Sequence, residues 1–454
     1  MNLVIKHIIG LAFPICLFFN LTAFAQWTYI GLGDKKVNKL RLYAQNLYAT
    51  TNNGIYRKSI YSSDTSWISI GLQGHDAFAL SVLNSDTIYA GIKISGMSND
   101  TIAIYRTTDG GINWEDYQNG FGRGTGYSNH VLSLESYPHQ DKILFATGLA
   151  QIAKSNNLGE NWQLVWNDWD LIGVGVHFLT FDSILTNILW SGGESGFLQP
   201  FILKSNDLGE NWQENWINVG GDNACYSCVV DPFNSDVVYI GMEGRIIKTT
   251  DGGNNWATIY SPLDYPYFYG IAINRYFSNI IYASGLINAP DPQNLVLHKS
   301  QDNGSSWSTI IEGSAGEKGV LDLLLVSGNN IDTLFLATFG AGVYRYEETL
   351  TNVKTADNSQ IYKSILIKQN YPNPFNPSTT ISFDLPTECI VSVNIYDITG
   401  RQIKTLASSR YPAGSHRIQW DGRDNSGNAV ASGIYIYRIQ AGNYLQSKKM
   451  ILLK

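Results

Sequence analysis

Five segments of this chain are near copies of one another: TTDGGINW (107–114), SNNLGENW (155–162), SNDLGENW (205–212), TTDGGNNW (249–256) and SQDNGSSW (300–307). All fit S/T-x-D/N-x-G-x-x-W. A degenerate sixth, SIYSSDTSW (59–67), lacks the glycine and carries extra residues. Counted from Trp67, successive tryptophans lie 47, 48, 50, 44 and 51 residues apart. A period of that size means one supersecondary unit stacked repeatedly, as in propellers and solenoids.

Two further series keep the same beat. An apolar strand recurs as NLYATT (46–51), DTIYAG (86–91), KILFATG (142–148), NILWSG (187–192), DVVYIG (236–241), NIIYASG (279–285) and TLFLATFG (333–340). Behind it comes a strand ending in a base: Arg57, Arg106, Lys154, Lys204, Lys248, Lys299 and Arg345. Both series count seven, whereas the boxes and their remnant count six. The missing tryptophan is Trp27, in QWTYIGLG ahead of the first repeat. The count predicts seven blades, with this N-terminal strand pairing to GVYRYEE (342–348) in one shared blade, which removes the open sheet edges. Few stretches keep helical periodicity, and aromatics reach 13% with 43 Gly. The expected fold class is all-β: a seven-bladed β-propeller followed by a small immunoglobulin-like sandwich.

The box resembles the Asp-box, or BNR repeat, of sialidases, sortilin-type receptors, xyloglucan-degrading hydrolases and photosystem II assembly factor-like propellers. The resemblance covers residues 26 to about 346 and specifies a blade type, not an activity. Turn chemistry accounts for every fixed position. Asp109, Asn157, Asp207, Asp251 and Asp302 can accept hydrogen bonds from the turn's own amides. The box glycines supply φ > 0, and Trp114, Trp162, Trp212, Trp256 and Trp307 can pack between neighbouring sheets. These residues are read as structural.

Residues 1–25 read as a removable signal peptide: Lys6, an apolar run from Ile8 to Phe19, and small residues at Ala23 and Ala25. No other stretch is apolar and long enough to span a bilayer. Removing the segment takes one Lys and no acid from a net charge of −7, leaving −8. An acidic chain without a basic stripe argues against nucleic acid as a partner. The three remaining cysteines, Cys225, Cys228 and Cys389, are too few for a disulfide framework. CYSC (225–228) lacks a second pair for a zinc site, and residues i and i+3 of a strand point to opposite faces. It reads as a buried strand, with a strained disulfide as the alternative. No cofactor or metal signature is present.

After residue 348 the composition changes. Residues 349–369 read as a linker and 370–454 as a module of short alternating strands. YPNPFNPST, IYDITGRQIKTL, WDGRDNSGNAVASGIYIYRI and the terminal KKMILLK closely resemble the type A C-terminal sorting domain of the type IX secretion system. That resemblance implies the type IX machinery as a partner, and export through the periplasm to the cell surface or medium. The loop DGRDNSGNA (421–429) fails the EF-hand pattern, because Gly427 is misplaced and no Glu follows, so it reads as a turn.

Strand order places the boxes on one face of the propeller, so ligands are expected on the other. The loops there carry Asp116, Asp168, Asp170, Asp222 and Asp264, candidates for the paired carboxylates of glycosidic cleavage. They also carry Trp166, Trp169, Trp216, Tyr265 and Tyr267, which can stack on sugars or peptide side chains. A sialidase would need an arginine cluster, and outside the repeat edges the propeller offers only Arg41, Arg123, Arg245 and Arg275. Xyloglucan hydrolases of this blade type generally have two propellers. Two functions stay open: a non-catalytic surface or secreted module binding an extracellular protein or glycan, and a glycoside hydrolase.

Overall fold

The computed structural model describes residues 26–94, 102–122, 130–138, 142–169, 175–195, 199–217, 224–287, 295–312, 319–328, 330–350, 366–367, 370–385, 389–397, 401–412, 414–441 and 444–453. They contain strands and turns and no helix. From inner to outer strand, blade 1 is Val37–Tyr43, Asn46–Thr51, Gly54–Ser59 and Ile68–Gly71, and blade 2 is Ala77–Val82, Ile88–Ile92, Ile104–Thr107 and Glu115–Asp116. Blade 3 is Val131–Ser136, Leu144–Gly148, Gln151–Ser155 and Gln163–Asn167, and blade 4 is Gly175–Phe181, Leu189–Glu194, Pro200–Ser205 and Gln213–Trp216. Blade 5 is Cys225–Asp231, Asn234–Met242, Ile246–Thr249 and Ala257–Tyr260, and blade 6 is Pro266–Ile273, Ile281–Ile287, Leu295–Ser300 and Ser308–Glu312. Blade 7 takes Val320–Val326, Ile331–Thr338 and Val343–Thr349, and its outermost strand is Gln26–Gly31 from the other end of the chain. Trp27 pairs with Tyr346, their rings 4.7 Å apart. Each inner strand packs against the next, and that of blade 7 against that of blade 1, so the ring closes.

One cross-strand pair recurs in all seven blades. The aromatic residue of the second strand faces the base of the third: Tyr48 with Arg57, Tyr89 with Arg106, Phe145 with Lys154, Trp190 with Lys204, Tyr239 with Lys248, Tyr282 with Lys299 and Phe335 with Arg345. Every one of these aromatics is buried. In blades 3 to 6 the ammonium lies 4.8–5.9 Å from the ring centroid, a cation–π contact.

Three of these bases tie their blade to the box turn of the next. Lys154 Nζ donates to Leu208 O at 2.8 Å, Lys204 Nζ to Gly252 O at 2.8 Å and Lys248 Nζ to Asn303 O at 3.1 Å. Each acceptor is the residue just before a box glycine, and its φ is positive: 57° at Leu208, 68° at Gly252 and 59° at Asn303. A leucine in the left-handed region costs about 1 kcal/mol. The charge-assisted hydrogen bond that this geometry aims at the neighbouring blade is worth about 1.5–3 kcal/mol, so the strained turn is retained.

Within each turn the acidic side chain is fully engaged. Asp207 Oδ1 accepts from Asn211 N at 2.9 Å and Ser205 Oγ at 2.8 Å, and Oδ2 accepts from Asn211 Nδ2 at 2.7 Å. Asp109 and Asp251 repeat this with Asn113 and Asn255, Asp302 with Ser306, and Asn157 Oδ1 accepts from Asn161 N at 3.0 Å. Gly111 has φ 100°, and a Cβ there would lie 2.3 Å from Ile70 O, so no other residue fits. The indoles of Trp67, Trp114 and Trp162 reach the preceding blade, donating at 2.8 Å to Ile30 O, Ile70 O and Tyr117 O. Those of Trp256 and Trp307 turn back to Gly253 O and Gly304 O at 3.1 Å.

The C-terminal region forms two sheets. One contains Leu366–Ile367, Thr379–Leu385 and Gly414–Trp420; the other contains Gln402–Tyr411, Cys389–Asp397, Gly433–Ala441 and Tyr444–Leu452. Between them Phe375, Ile381, Phe383, Val393, Trp420 and Tyr437 form the core. The YPNPFNPST stretch is pinned to the last strand: Phe375 N donates to Ile451 O and Leu453 N to Phe375 O, both at 2.9 Å. In the 421–429 loop, Asp424 Oδ1 caps Ser426 N at 2.9 Å and Asn428 N at 2.8 Å, the hydrogen bonding of a turn.

Candidate functional site

A local irregularity repeated sevenfold builds the face opposite the boxes. Every inner strand breaks register near its loop-face end, between Val37/Lys39, Ala77/Ala79, Val131/Ser133, Val176/Phe178, Cys225/Ser227, Tyr267/Gly270 and Val320/Asp322. A β-bulge leaves its extra residue unpaired and re-aims that side chain. The residues at these breaks include Phe78 in blade 2, His177 in blade 4, Tyr226 in blade 5 and Tyr269 in blade 6, at the loop-face ends of the innermost strands, which in a propeller surround the central channel. Lower in the channel Arg41 of blade 1 pairs with Glu135 of blade 3, bridging past blade 2, and Lys39 pairs with Asp322 at 2.8 Å.

On the blade 4–6 side these residues form one half-buried cluster. The Tyr226 ring lies 4.5 Å from Tyr269, 5.8 Å from Tyr267 and 5.1 Å from His177. His177 Nε2 is hydrogen-bonded to Glu194 Oε2, at the end of the second strand of blade 4. Glu243 pairs through its backbone with Tyr267. Burial, helped by the nearby Tyr269, Glu194 and Glu243, pushes the Tyr226 phenol far up, and burial and Glu194 raise Tyr269 to about 12. Both are therefore neutral hydroxyls at neutral pH. Tyr265 has φ 53° and is 44% exposed, and a Cβ on Gly244 would sit 2.3 Å from its ring. The cluster offers flat aromatic faces, phenol hydroxyls and a His–Glu pair, groups that stack on and hydrogen-bond a polyhydroxylated ligand.

A second cluster lies at the rim between blades 3 and 4. Trp166 stacks on Phe201 at 5.8 Å, and Phe201 meets Trp216 at 5.8 Å. The Glu214 carboxyl beside these indoles has its pKa raised by partial burial and by the charge of Asp168, with both indoles opposing the rise. Trp166, Trp216 and Asp116 belong to outer strands rather than loops, because pairing with the third strand runs as far as Trp166 opposite Ile152, Trp216 opposite Phe201 and Asp116 opposite Tyr105. Trp169 packs against the same core cluster as Trp166 and Phe181.

The other acids are dispersed. Asp116 is exposed and caps Gln118 N at 3.1 Å, and Asp264 is exposed between blades 5 and 6. Asp170 and Asp222 lie outside the described residues. Sequence reasoning missed His177, Glu194, Tyr226, Glu214 and Tyr269. The usable signal was a bulky polar or aromatic residue within the first four positions of successive inner strands, as at His177, Tyr226 and Tyr269. The cysteines differ from expectation. The bulge between Cys225 and Ser227 brings Cys225 and Cys228 onto one core cluster with Val238 and Met242, rather than onto opposite faces. Both are free thiols, with pKa values pushed up by burial. Among the described residues no three His, Cys, Asp or Glu are placed to hold a metal.

The FlgD Ig-like domain family matches residues 373–444. No curated relative matches the chain. Among solved structures, the chain resembles PorZ, described as an essential surface component of the type IX secretion system of Porphyromonas gingivalis, with TM-score 0.51 and 18% identity over 93% of this chain and 60% of that one. It resembles the GH74 xyloglucanase of Xanthomonas campestris with TM-score 0.55 and 16% identity, over 79% of this chain and 59% of that one. YCF48 bound to D1 peptide matches with TM-score 0.51 and 12% identity, over 71% of this chain and 94% of that one. The chain thus spans only about three fifths of the first two proteins. At such identities the likeness speaks for architecture alone: a seven-bladed β-propeller with an immunoglobulin-like C-terminal region.

Proposed function

We propose that this protein is a secreted or cell-surface binding module whose propeller takes an extracellular saccharide at the loop-face mouth, and whose C-terminal sandwich directs export by the type IX secretion machinery. One contrast carries the binding half. On the box face the carboxylate of each box aspartate, Asp109, Asp207, Asp251 and Asp302, is tied up in its own turn, as at Asp207 with Asn211 and Ser205. On the opposite face the bulged inner strands gather Tyr226, Tyr267, Tyr269 and the His177–Glu194 pair, all partly buried, in one cluster. The test is a glycan array with the mature protein, read beside the Tyr267→Ala variant. Binding of defined saccharides without hydrolysis, lost in the variant, is expected. Binding that survives Tyr267→Ala, or a protein ligand taken elsewhere, overturns the site.

A competing reading, glycoside hydrolysis, draws on the rim. Burial and the charge of Asp168 raise the Glu214 carboxyl, and glycosidic cleavage calls for two neighbouring carboxyls of which one is raised to act as the acid. Reducing-sugar release abolished by Glu214→Gln would establish it in place of the binding module.

A further inference from the structure

Many basic side chains of the described propeller reach an acceptor. Lys39 meets Asp322, Lys58 meets Asp64, Lys299 meets Glu348, and Lys204 and Lys248 meet backbone carbonyls. Two lysines on the loop face depart from this pattern. Lys36 lies between the outer strand of blade 7 and the inner strand of blade 1, where its backbone bridges to Phe339. Lys93 follows the second strand of blade 2, its N–H donating to Asp76 O at 2.9 Å. Both ammonium groups approach the ring of Phe78, the bulged mouth residue of blade 2, at 5.9 and 5.6 Å, and Lys36 also lies 5.3 Å from the Phe339 ring.

The aromatic ring thus holds two like charges together in a half-buried place. Burial and the charge of Lys93 lower the pKa of Lys36, and burial together with Lys93 lowers that of neighbouring His130. The charge of the one nearby acid, Asp76, which accepts from Asn38 Nδ2 at 2.8 Å, opposes both shifts without forming an ion pair with either lysine. Among the described residues no carboxylate forms an ion pair with Lys36 or Lys93. Two ammonium groups beside the single carboxylate of Asp76 leave a surplus positive charge, and against the rings of Phe78 and Phe339 that surplus favours an anion.

We propose that Lys36 and Lys93 form an anion subsite at the blade 7–1–2 side of the mouth, taking a carboxylate or phosphate carried by the bound saccharide. The subsite rests on the loop-face reading and adds to it a ligand class, an acidic sugar, opposite the tyrosines of blades 4–6. Calorimetric titration tests it with three probes: an oligogalacturonate for the carboxylate, mannose 6-phosphate for the phosphate, and a neutral cello-oligosaccharide. At least one acidic probe is expected to bind more tightly than the neutral one, with Lys36→Gln and Lys93→Gln each weakening it by about tenfold, the worth of one charged hydrogen bond. Lys36→Arg should retain the affinity, which separates charge from folding. Equal binding of acidic and neutral probes, or acidic binding unmoved by both Gln substitutions, overturns the subsite. Failure of the loop-face reading shows differently, as binding that Tyr267→Ala leaves unchanged.

Discussion

The carboxyl of a box aspartate and the imidazole of a buried histidine make this fold acid-sensitive in two separate windows. Burial of His298 against Tyr260, Phe268 and Thr309 lowers its pKa from 6.5 to about 4. The folded state then binds fewer protons than the unfolded one, so stability is full above about 6.5 and falls as pH drops towards about 4. Hydrogen bonds from Asn113 and Asn255 hold Asp109 and Asp251 at about 2, below the usual 3.8. Their contribution is full above about 4 and is lost between about 4 and about 2. Urea midpoints measured across this range should decline in two steps. His298→Gln should flatten the upper step, and the double change Asp109→Asn with Asp251→Asn the lower. The natural Asn157, which keeps its turn bonds to Ser155 and Asn161, shows that the turn accepts the amide. A single decline unaffected by either change would contradict the assignment.

At the scale of the element, the strands were legible and the site they build was not. The box period and the seven basic strand ends fixed blade number and closure, because these positions repeat in register with the sheet. Trp27 stood out only as a tryptophan missing from the count, and it is the residue that meets Tyr346. The mouth cluster has no such period. His177, Tyr226 and Tyr269 come from three inner strands, and their convergence depends on bulges that binary alternation does not register. Tyr226 sits inside CYSC, where the flanking thiols draw attention from the phenol between them. Trp166, Trp216 and Asp168 were legible as residue types, but their shared partner Glu214 was not, since exposed acids on outer strands are commonplace. The closing strand has a measurable weight. Tyr346 is 2% exposed, so Tyr346→Ala should cost about 3–5 kcal/mol in urea unfolding. Tyr61→Ala, at a residue 74% exposed, should cost under about 0.5 kcal/mol. Comparable values for the two would mean that the shared blade does not hold the ring.

For the whole molecule, the proposed route of export assigns the two ends different tasks. The sandwich pins YPNPFNPST to its final strand through Phe375, so its first and last motifs make one unit. Deleting residues 370–454 should leave the propeller folded and retained in the periplasm, as cell fractionation with protease accessibility would reveal. Unchanged delivery to the surface would refute the sorting role.

The shared seventh blade has a kinetic meaning as well. Its outermost strand is the first to be synthesised and its inner three are the last of the propeller, so this sheet has the longest loop to close. Whatever detains either end, a ribosome or a membrane pore, keeps the ring open and its edges unpaired. The ring can close only after its last strand, Val343–Thr349, is free to pair with Gln26–Gly31, so closure waits for the whole propeller segment.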